Sequence, residues 1–231
     1  GLGIRVPEAA GGSGHGLFDA ALVMEEVGRT LACGPIAETM VAARMLASFG
    51  ATGSALLSDV LAGTSVVTLA LKPANAAPVQ LIAGGAVADA VLLIEDDAVY
   101  CLRPTAGERR KVSSLGGAAL AEIQLRGADR TRLASGEAAA TIFRQGVGEW
   151  KILTAAALAG LSREAIRLAA RYASERAAFG QLIGTFQAIS HPLADHIVRT
   201  DGGKFLVWRA LRELADNDAD AGSTISLALW W

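Results

Sequence analysis

Both ends of the chain carry apolar residues at steps of three and four, the spacing that puts them on one face of an α-helix. The middle of the chain instead has short apolar runs separated by Pro, Gly, Asn or Asp, which is typical of strands and turns. The predicted helices are Leu17–Thr30, Ala37–Phe49, Ser54–Leu61, Gly148–Glu175, Phe186–Trp208 and Gly222–Trp231. The predicted strands are Ser65–Leu71, Val79–Ala83, Ala90–Glu95, Ala98–Leu102 and Ala118–Leu125.

This order has no strand–helix–strand alternation, which disfavours a Rossmann-type parallel sheet. We therefore predict an α+β fold that is mostly α-helical. Residues 1–63 are expected to form the end of an N-terminal helical domain, residues 64–136 a small antiparallel β-domain, and residues 137–231 an incomplete C-terminal helical bundle. We expect truncation at both ends, because the chain starts in a loop-like stretch and stops within a helical pattern.

Composition and charge argue against several classes of partner. The formal net charge is −2 and the basic residues are scattered, whereas a nucleic-acid surface needs a concentrated basic face. No apolar run reaches the roughly 18–20 residues that span a bilayer. Cys33 and Cys101 match no metal or redox spacing, and the N-terminus has no signal-peptide pattern. We therefore expect a cytoplasmic protein with no membrane insertion.

The stretch Tyr172–Asp195, which reads YASERAAFGQLIGTFQAISHPLAD, carries the most specific chemistry. It sets Arg176, a Phe179–Gly180 break and a Phe186–Gln187 pair around the junction of two helices. A planar guanidinium can bind phosphate oxygens in a bidentate manner. Gly184–Thr185 is predicted to cap the second helix, whose N-terminus favours anions. The stretch therefore predicts a site for a large anionic cofactor.

Three stretches resemble the acyl-CoA dehydrogenase family: RVPEAAGGSG at Arg5–Gly14, EEVGR at Glu25–Arg29, and above all Tyr172–Asp195. The order of helices, strands and helices is similar to the family fold along essentially the whole chain. The resemblance implies FAD as the cofactor and an acyl-CoA thioester as the substrate. It also implies electron-transfer flavoprotein as the acceptor of the electrons.

The resemblance implies roles for individual residues of the junction. Arg176 would contact the FAD pyrophosphate, Phe179 would pack beside the adenine, and Gln187 would hydrogen-bond the dinucleotide. In this family the group typically serves a flavin bound mainly by a neighbouring subunit. The resemblance therefore implies a homodimer, a homotetramer or a complex with an unlike acyl-CoA dehydrogenase subunit.

The strand region departs from the family pattern. Family members usually carry Thr-Glu-Pro followed by Gly-Ser-Asp, a segment that meets the flavin ring, and here Thr68–Pro73 stands in that place. Only Pro73 matches clearly, and Leu71 stands where a hydroxyl would bond. The Trp-Ile-Thr strand that shields the flavin is not recognisable. The resemblance then leaves Leu71 to bind the flavin through its backbone.

Removing an α-proton from an acyl thioester requires a base, for which the family uses a carboxylate. Most members supply it from a late helix, which would lie beyond Trp231. Others place a glutamate near the start of the helix that precedes the arginine motif. In this sequence the position that corresponds to that glutamate, counted back from Arg176, is Trp150, and Glu149 is adjacent to it. Glu149 is the candidate base, and the alternative is a solvated carboxylate in the first helical turn, where the helix dipole favours it.

Two further sets of residues carry weaker signals. His191 and His196 are five residues apart, so they lack the spacing of a metal-binding pair on a helix, and no metal is predicted. Arg163, Arg167 and Arg171 form a stripe on the predicted helix. The stripe is interpreted as a solvated face or, alternatively, as a surface for a partner or for the nucleotide of coenzyme A.

The leading hypothesis is α,β-dehydrogenation of an acyl-CoA. The departures in the strand region indicate the compact bacterial branch, in which two unlike subunits share a flavin site in steroid or unusual lipid catabolism. A second hypothesis is a non-catalytic partner subunit that supplies the FAD clamp. A third is a flavin monooxygenase or nitroalkane oxidase on the same fold.

Overall fold

The computed structural model describes every residue from Gly1 to Trp231, and the chain forms two compact units. The first unit contains Gly1–Leu17 and Cys33–Trp150, and the second contains Phe18–Ala32 and Lys151–Trp231. The element order is helices, strands and helices, which confirms the predicted α+β class. The division into three domains stays a prediction.

Three helices open the chain: α1 (Leu17–Thr30), α2 (Ile36–Ser48) and α3 (Ala51–Leu61). Helix α2 contributes most to the core of the first unit, because Met40, Val41, Met45 and Leu46 on it are almost completely buried. Gly50 adopts a φ of +58°, which lets the chain turn from α2 to α3 within two residues.

Seven strands follow: β1 (Val67–Leu69), β2 (Val79–Ile82), β3 (Ala90–Glu95), β4 (Ala98–Leu102), β5 (Arg109–Val112), β6 (Leu120–Gln124) and β7 (Arg130–Ser135). They form a four-stranded sheet in the order β1-β3-β4-β7 and a three-stranded sheet in the order β2-β6-β5. β3 and β4, both predicted as strands, pair antiparallel as a hairpin. Most pairs are antiparallel, and β1 runs parallel to β3 because the chain visits β2 in the other sheet between them.

The apolar core of the β-region draws on strands of both sheets and on the segment after β1. Its members are Ala70, Ala74, Ile82, Val91, Leu93, Leu102, Ala121, Ile123 and Leu125. The hydrophobic pattern did not reveal β5 and β7, because most residues of both strands are polar or charged. On β7, Arg130 pairs with Glu95, and its guanidinium lies 4.1 Å from the centre of the Tyr100 ring.

The longest element is α4 (Glu137–Glu175), which begins well before the predicted start at Gly148. Glycines at 146 and 148 look like a helix boundary in the sequence, yet the helix passes through them. A Cβ atom added at Gly146 would lie 2.5 Å from the Met45 sulfur, so this glycine serves close packing of α4 against α2 rather than a turn.

The remaining elements are β8 (Ala177–Ala178), β9 (Gln181–Leu182), α5 (Gln187–Ala215) and α6 (Ala221–Trp230). Helix α5 continues through Pro192 and through Gly202–Gly203, although proline and paired glycines usually interrupt a helix. Gly203 instead accommodates the Trp231 ring, because a Cβ atom there would lie 3.1 Å from it. None of the helices is both long enough and apolar enough to cross a bilayer.

Helices α1 and α4 approach each other closely within the second unit through two glycines. A Cβ atom at Gly28 would lie 1.8 Å from the Ala157 carbonyl oxygen, and one at Gly160 would lie 1.9 Å from the Glu25 carbonyl oxygen. Only hydrogen atoms fit in these gaps, so the sequence EEVGR, which ends with Gly28 and Arg29, has a direct packing role.

Candidate cofactor-binding site

A minimal β-hairpin joins α4 to α5. Strands β8 and β9 pair antiparallel, and the Ile183 N–H donates a 2.8 Å hydrogen bond to the Arg176 carbonyl at the base of the hairpin. Phe179 and Gly180 form the turn, with φ values of +54° and +82°. Positive φ at both central residues is the feature of a type I′ turn, which matches the twist of two paired strands. The Phe-Gly break predicted from sequence is therefore the tip of a hairpin.

Phe179 is held in an unfavourable backbone conformation. The left-handed region costs a residue with a side chain about 1–2 kcal/mol, and Asn or Gly is usual in such turns. The Phe179 ring is 95% exposed, and the aromatic ring it meets is Phe186, edge to face at 6.3 Å between centroids. Backbone strain that presents an apolar ring to solvent points to a ligand-contacting role.

Arg176 and Gln187 lie beside this hairpin and are exposed. Arg176 follows the last residue of α4, and its side chain forms no ion pair or hydrogen bond within the chain. Gln187 is the first residue of α5. The backbone N–H groups of Gln187 and Ala188 have no partner within the chain, so the positive end of α5 is open to an anion.

The predicted cap of α5 is wrong. Gly184 and Thr185 lie in a 3₁₀ turn at Ile183–Thr185, and the Thr185 hydroxyl donates to the Leu182 carbonyl at 2.6 Å. Phe186 occupies the N-cap position and offers no side-chain hydrogen bond to the helix. Because no side chain caps the first turn, the N–H groups of Gln187 and Ala188 are left for another acceptor.

The structure therefore brings three of the predicted site residues, Arg176, Phe179 and Gln187, to one junction. This junction combines an unpaired guanidinium and a helix N-terminus, which suit phosphate groups, with an exposed aromatic ring, which suits a flat base. The individual roles of the three residues stay predictions.

Leu71 lines a separate pocket in the first unit, called here the Leu71 pocket, with a volume of about 290 Å³. Its walls are α2, the segment from β1 to β2, and Trp150, and they are mostly apolar. The Leu71 backbone N–H makes no hydrogen bond within the chain. The next amide is engaged, since the Gln80 side chain bonds both the N–H and the carbonyl of Lys72, at 3.2 and 2.7 Å. Leu71 is thus the residue of this pair with a free backbone donor.

Glu149 is buried rather than solvated. Its two oxygens accept from Arg5 Nη2 at 2.9 Å and from Arg44 Nε at 3.3 Å, and the residue is 7% exposed. The alternative of a first-turn solvated carboxylate is wrong, because α4 starts at Glu137 and Glu149 lies several turns inside it. With each oxygen held by a guanidinium, the geometry is that of an ion-pair triad tying the N-terminal loop, α2 and α4 together. The assignment as base stays a prediction that this arrangement disfavours.

A pair of residues not singled out from the sequence lies at the Leu71 pocket. The indole N–H of Trp150 donates a 2.9 Å hydrogen bond to Glu38 Oε1, and both residues line the pocket. Glu38 is the single acidic residue of α2. A lone carboxylate on a helix that is mainly apolar is the signal that could have identified it.

The arginine stripe borders an open groove of about 540 Å³ between α1, α4 and α5 within the second unit. Arg167 donates two hydrogen bonds to Glu164, at 2.8 and 2.6 Å, and the hydrogen bond lowers the pKa of that carboxyl. The Arg167 charge is thus balanced within the helix, as on a solvated face. No group of three or more His, Cys, Asp or Glu side chains is placed to hold a metal ion.

Two family models match the chain. The model of the acyl-CoA dehydrogenase N-terminal domain matches residues 1–54, and that of the C-terminal domain matches residues 140–231. Acyl-CoA dehydrogenase FadE34 of Mycobacterium tuberculosis is 31% identical over 98% of this chain and 32% of its own length. Acyl-CoA dehydrogenase IpdE2 of the same organism is 28% identical over 87% of this chain and 58% of its own length. The chain therefore spans about a third and somewhat more than half of these two relatives.

Solved structures give the same picture. A steroid acyl-CoA dehydrogenase, Tcur3481-Tcur3483, superposes with a TM-score of 0.86 at 26% identity, covering 100% of this chain and 70% of that one. The ChsE4-ChsE5 complex of Mycobacterium tuberculosis gives a TM-score of 0.79 at 25% identity, covering 99% and 72%. Butyryl-CoA dehydrogenase of Megasphaera elsdenii, at 18% identity and a TM-score of 0.76 over 98% and 71%, shares the fold.

Proposed function

The chain belongs to the acyl-CoA dehydrogenase family, as its motifs predicted, and we propose that it is a subunit of an FAD-dependent enzyme that introduces an α,β double bond into an acyl-CoA thioester. The electrons would pass to a flavoprotein carrier. The observation that carries this proposal is the hairpin junction, where a strained and exposed Phe179 lies beside an unpaired Arg176 at an open helix N-terminus.

The residues of the junction fit the dinucleotide half of FAD. The Arg176 guanidinium would bind the pyrophosphate, since its charge is not neutralised by any carboxylate of this chain. The Phe179 ring would stack against the adenine, and the Gln187 amide would hydrogen-bond the dinucleotide. Bound FAD would supply a hydride acceptor, and the free N–H of Leu71 would donate to a polar atom of the ring system.

A second candidate function, a partner subunit that supplies the FAD clamp but not the base, is favoured by the surroundings of Glu149 and Trp150. Both oxygens of Glu149 are engaged by arginines. The position where some family members place the base is occupied by Trp150, an indole that can only donate a hydrogen bond. We therefore propose that the base comes from a segment or subunit other than the residues of this helix. The proteins named in the ChsE4-ChsE5 and Tcur3481-Tcur3483 structures combine two components, and an unlike partner is the corresponding arrangement for this chain.

The test is the absorbance of oxidised flavin, measured for the purified chain alone and after mixing with an acyl-CoA dehydrogenase subunit that carries a base. Flavin retained by the chain alone and bleached by acyl-CoA would establish an autonomous dehydrogenase. Flavin retained only in the mixture would establish the clamp subunit. Absence of flavin from both preparations would contradict the proposal.

A further inference from the structure

The Leu71 pocket is small for a ligand site. Its volume of about 290 Å³ lies at the lower limit of the range of about 300–1,000 Å³ that is usual for such sites. The walls formed by β1, β2 and the segment between them are built from short elements whose backbone is held by the buried Gln80 side chain. The largest side chain at the pocket is the Trp150 indole, so the position of this ring sets how much space is available.

The Trp150 ring is fixed in place by Glu38. An indole has a single hydrogen-bond donor and no acceptor, and here that donor is 2.9 Å from Glu38 Oε1. The other oxygen of Glu38 has no partner within the chain. Rotating the indole away from Glu38 would break its one polar contact in partly buried surroundings, which is unfavourable. Glu38 therefore acts through Trp150 as a positioning residue.

We propose that Trp150, held by Glu38, is the specificity-determining wall of the Leu71 pocket, and that it restricts the space beside the flavin ring at Leu71 to the short acyl end of a thioester. This inference rests on the proposed function, since it assigns the pocket to an acyl-CoA. Without the indole the apolar walls would accept a longer chain, because methylene groups are driven into any apolar space that excludes water.

The test is calorimetric titration of the full chain with butyryl-CoA, octanoyl-CoA and palmitoyl-CoA, which measures binding without turnover. The wild-type affinity for octanoyl-CoA is expected to lie within about threefold of that for butyryl-CoA, since the added methylenes find no apolar space. Trp150→Ala is expected to bind octanoyl-CoA at least tenfold more tightly than butyryl-CoA, because each buried methylene multiplies affinity about fourfold. Trp150→Phe keeps an aromatic ring for the fold and is expected to show a smaller gain.

Two variants of Glu38 separate its role in positioning the Trp150 indole from the effect of its negative charge. Glu38→Gln retains an oxygen acceptor for the indole and is expected to keep the wild-type dependence on chain length. Glu38→Ala removes the acceptor and is expected to move this dependence toward that of Trp150→Ala. The far-ultraviolet circular dichroism of each variant verifies that it is folded.

The proposal is overturned if the wild type already gains affinity with every methylene up to octanoyl, or if folded Trp150→Ala and Trp150→Phe gain none. Equal behaviour of Glu38→Gln and Glu38→Ala would overturn the role of Glu38. FAD retention by the same preparations is measured separately. Failure to retain FAD counts against the proposed function, whereas the titrations test whether Trp150 limits the length of the acyl chain.

Discussion

The backbone N–H of Ile183 donates a hydrogen bond to the carbonyl of Arg176, and this 2.8 Å contact closes the hairpin between α4 and α5. It fixes the place where the chain leaves one helix and enters the next. The Arg176 side chain is thereby held at the base of the hairpin while Phe179 is displayed at its tip. The arrangement explains why these residue types occur at this spacing.

Replacing Phe179 with Asn should separate ligand binding from stability. Asn enters the left-handed region readily, so relief of about 1–2 kcal/mol of backbone strain should offset the lost contact with Phe186, itself worth about 0.5–1.5 kcal/mol. We expect a melting temperature equal to or above that of the wild type, together with weaker FAD retention. Leu115→Asn, a change at another fully exposed apolar residue, is the control and should alter neither. A Phe179→Asn protein that retains FAD as well as the wild type would refute the contact with adenine.

Glu149→Gln should lower the free energy of unfolding by about 3–5 kcal/mol, the range for removing one partner from a buried ion pair. The reason is that Arg5 and Arg44 would keep their partly buried charges without a counter-charge. Chemical denaturation measures the change. Glu175→Gln, at an exposed carboxylate without an ion pair, is the matched control. A Glu149→Gln protein of wild-type stability that has lost dehydrogenation would instead restore Glu149 as the base.

Gly28→Ala and Gly160→Ala should each destabilise the second unit by about 3 kcal/mol, the upper end of the range for overpacking. In both cases the added methyl would meet a backbone carbonyl oxygen, which cannot rotate away as a side chain can. Gly222→Ala on α6 is the control, because a Cβ atom there meets nothing within 4 Å. Thermal melts of the three variants provide the comparison. Equal melting temperatures would show that α1 and α4 do not pack as described.

The carboxyl of Glu213 should make stability depend on pH. The nearby Thr224 side chain, followed by Arg209, whose Nε donates a 2.6 Å hydrogen bond to Glu213 Oε1, lowers the pKa of Glu213 below its ordinary value of 4.5. A carboxyl whose pKa is lowered in the folded state stabilises the protein when the pH is above the pKa of the unfolded chain. This contribution is lost as the pH falls through the lowered pKa. The melting temperature of Glu213→Gln should therefore lie below that of the wild type at neutral pH, and the difference should shrink as the pH falls below 4.5. A difference independent of pH would contradict this account.

The sequence predicted the elements whose pattern is repetitive. The spacing of apolar residues in α1 was sufficient because one face of this helix is buried. The continuous apolar run Val91–Ile94 was sufficient because β3 is buried on both faces. β5 and β7 were missed because their residues are mainly arginine, threonine and serine. The start of α4 was misplaced because Gly146 serves packing against Met45, which a sequence pattern cannot distinguish from a helix end.

The same contrast holds at the candidate site. Arg176, Phe179 and Gln187 were identified because they are close in sequence and share one junction. The Glu38–Trp150 contact joins residues 112 positions apart, and the partners of Glu149 lie 144 and 105 positions away. Such contacts depend on the tertiary fold, so they cannot be predicted from the residue pattern of a single sequence.

The most direct test of the flavin clamp is the dissociation constant of FAD for Arg176→Ala, measured by titration in whichever assembly retains FAD. Arg171→Ala, at an exposed arginine in the last turns of α4, is the matched control. The account predicts a loss of about 1–3 kcal/mol, roughly 5-fold to 150-fold in affinity, for Arg176→Ala and no change for Arg171→Ala. An unchanged dissociation constant in Arg176→Ala would contradict the central claim.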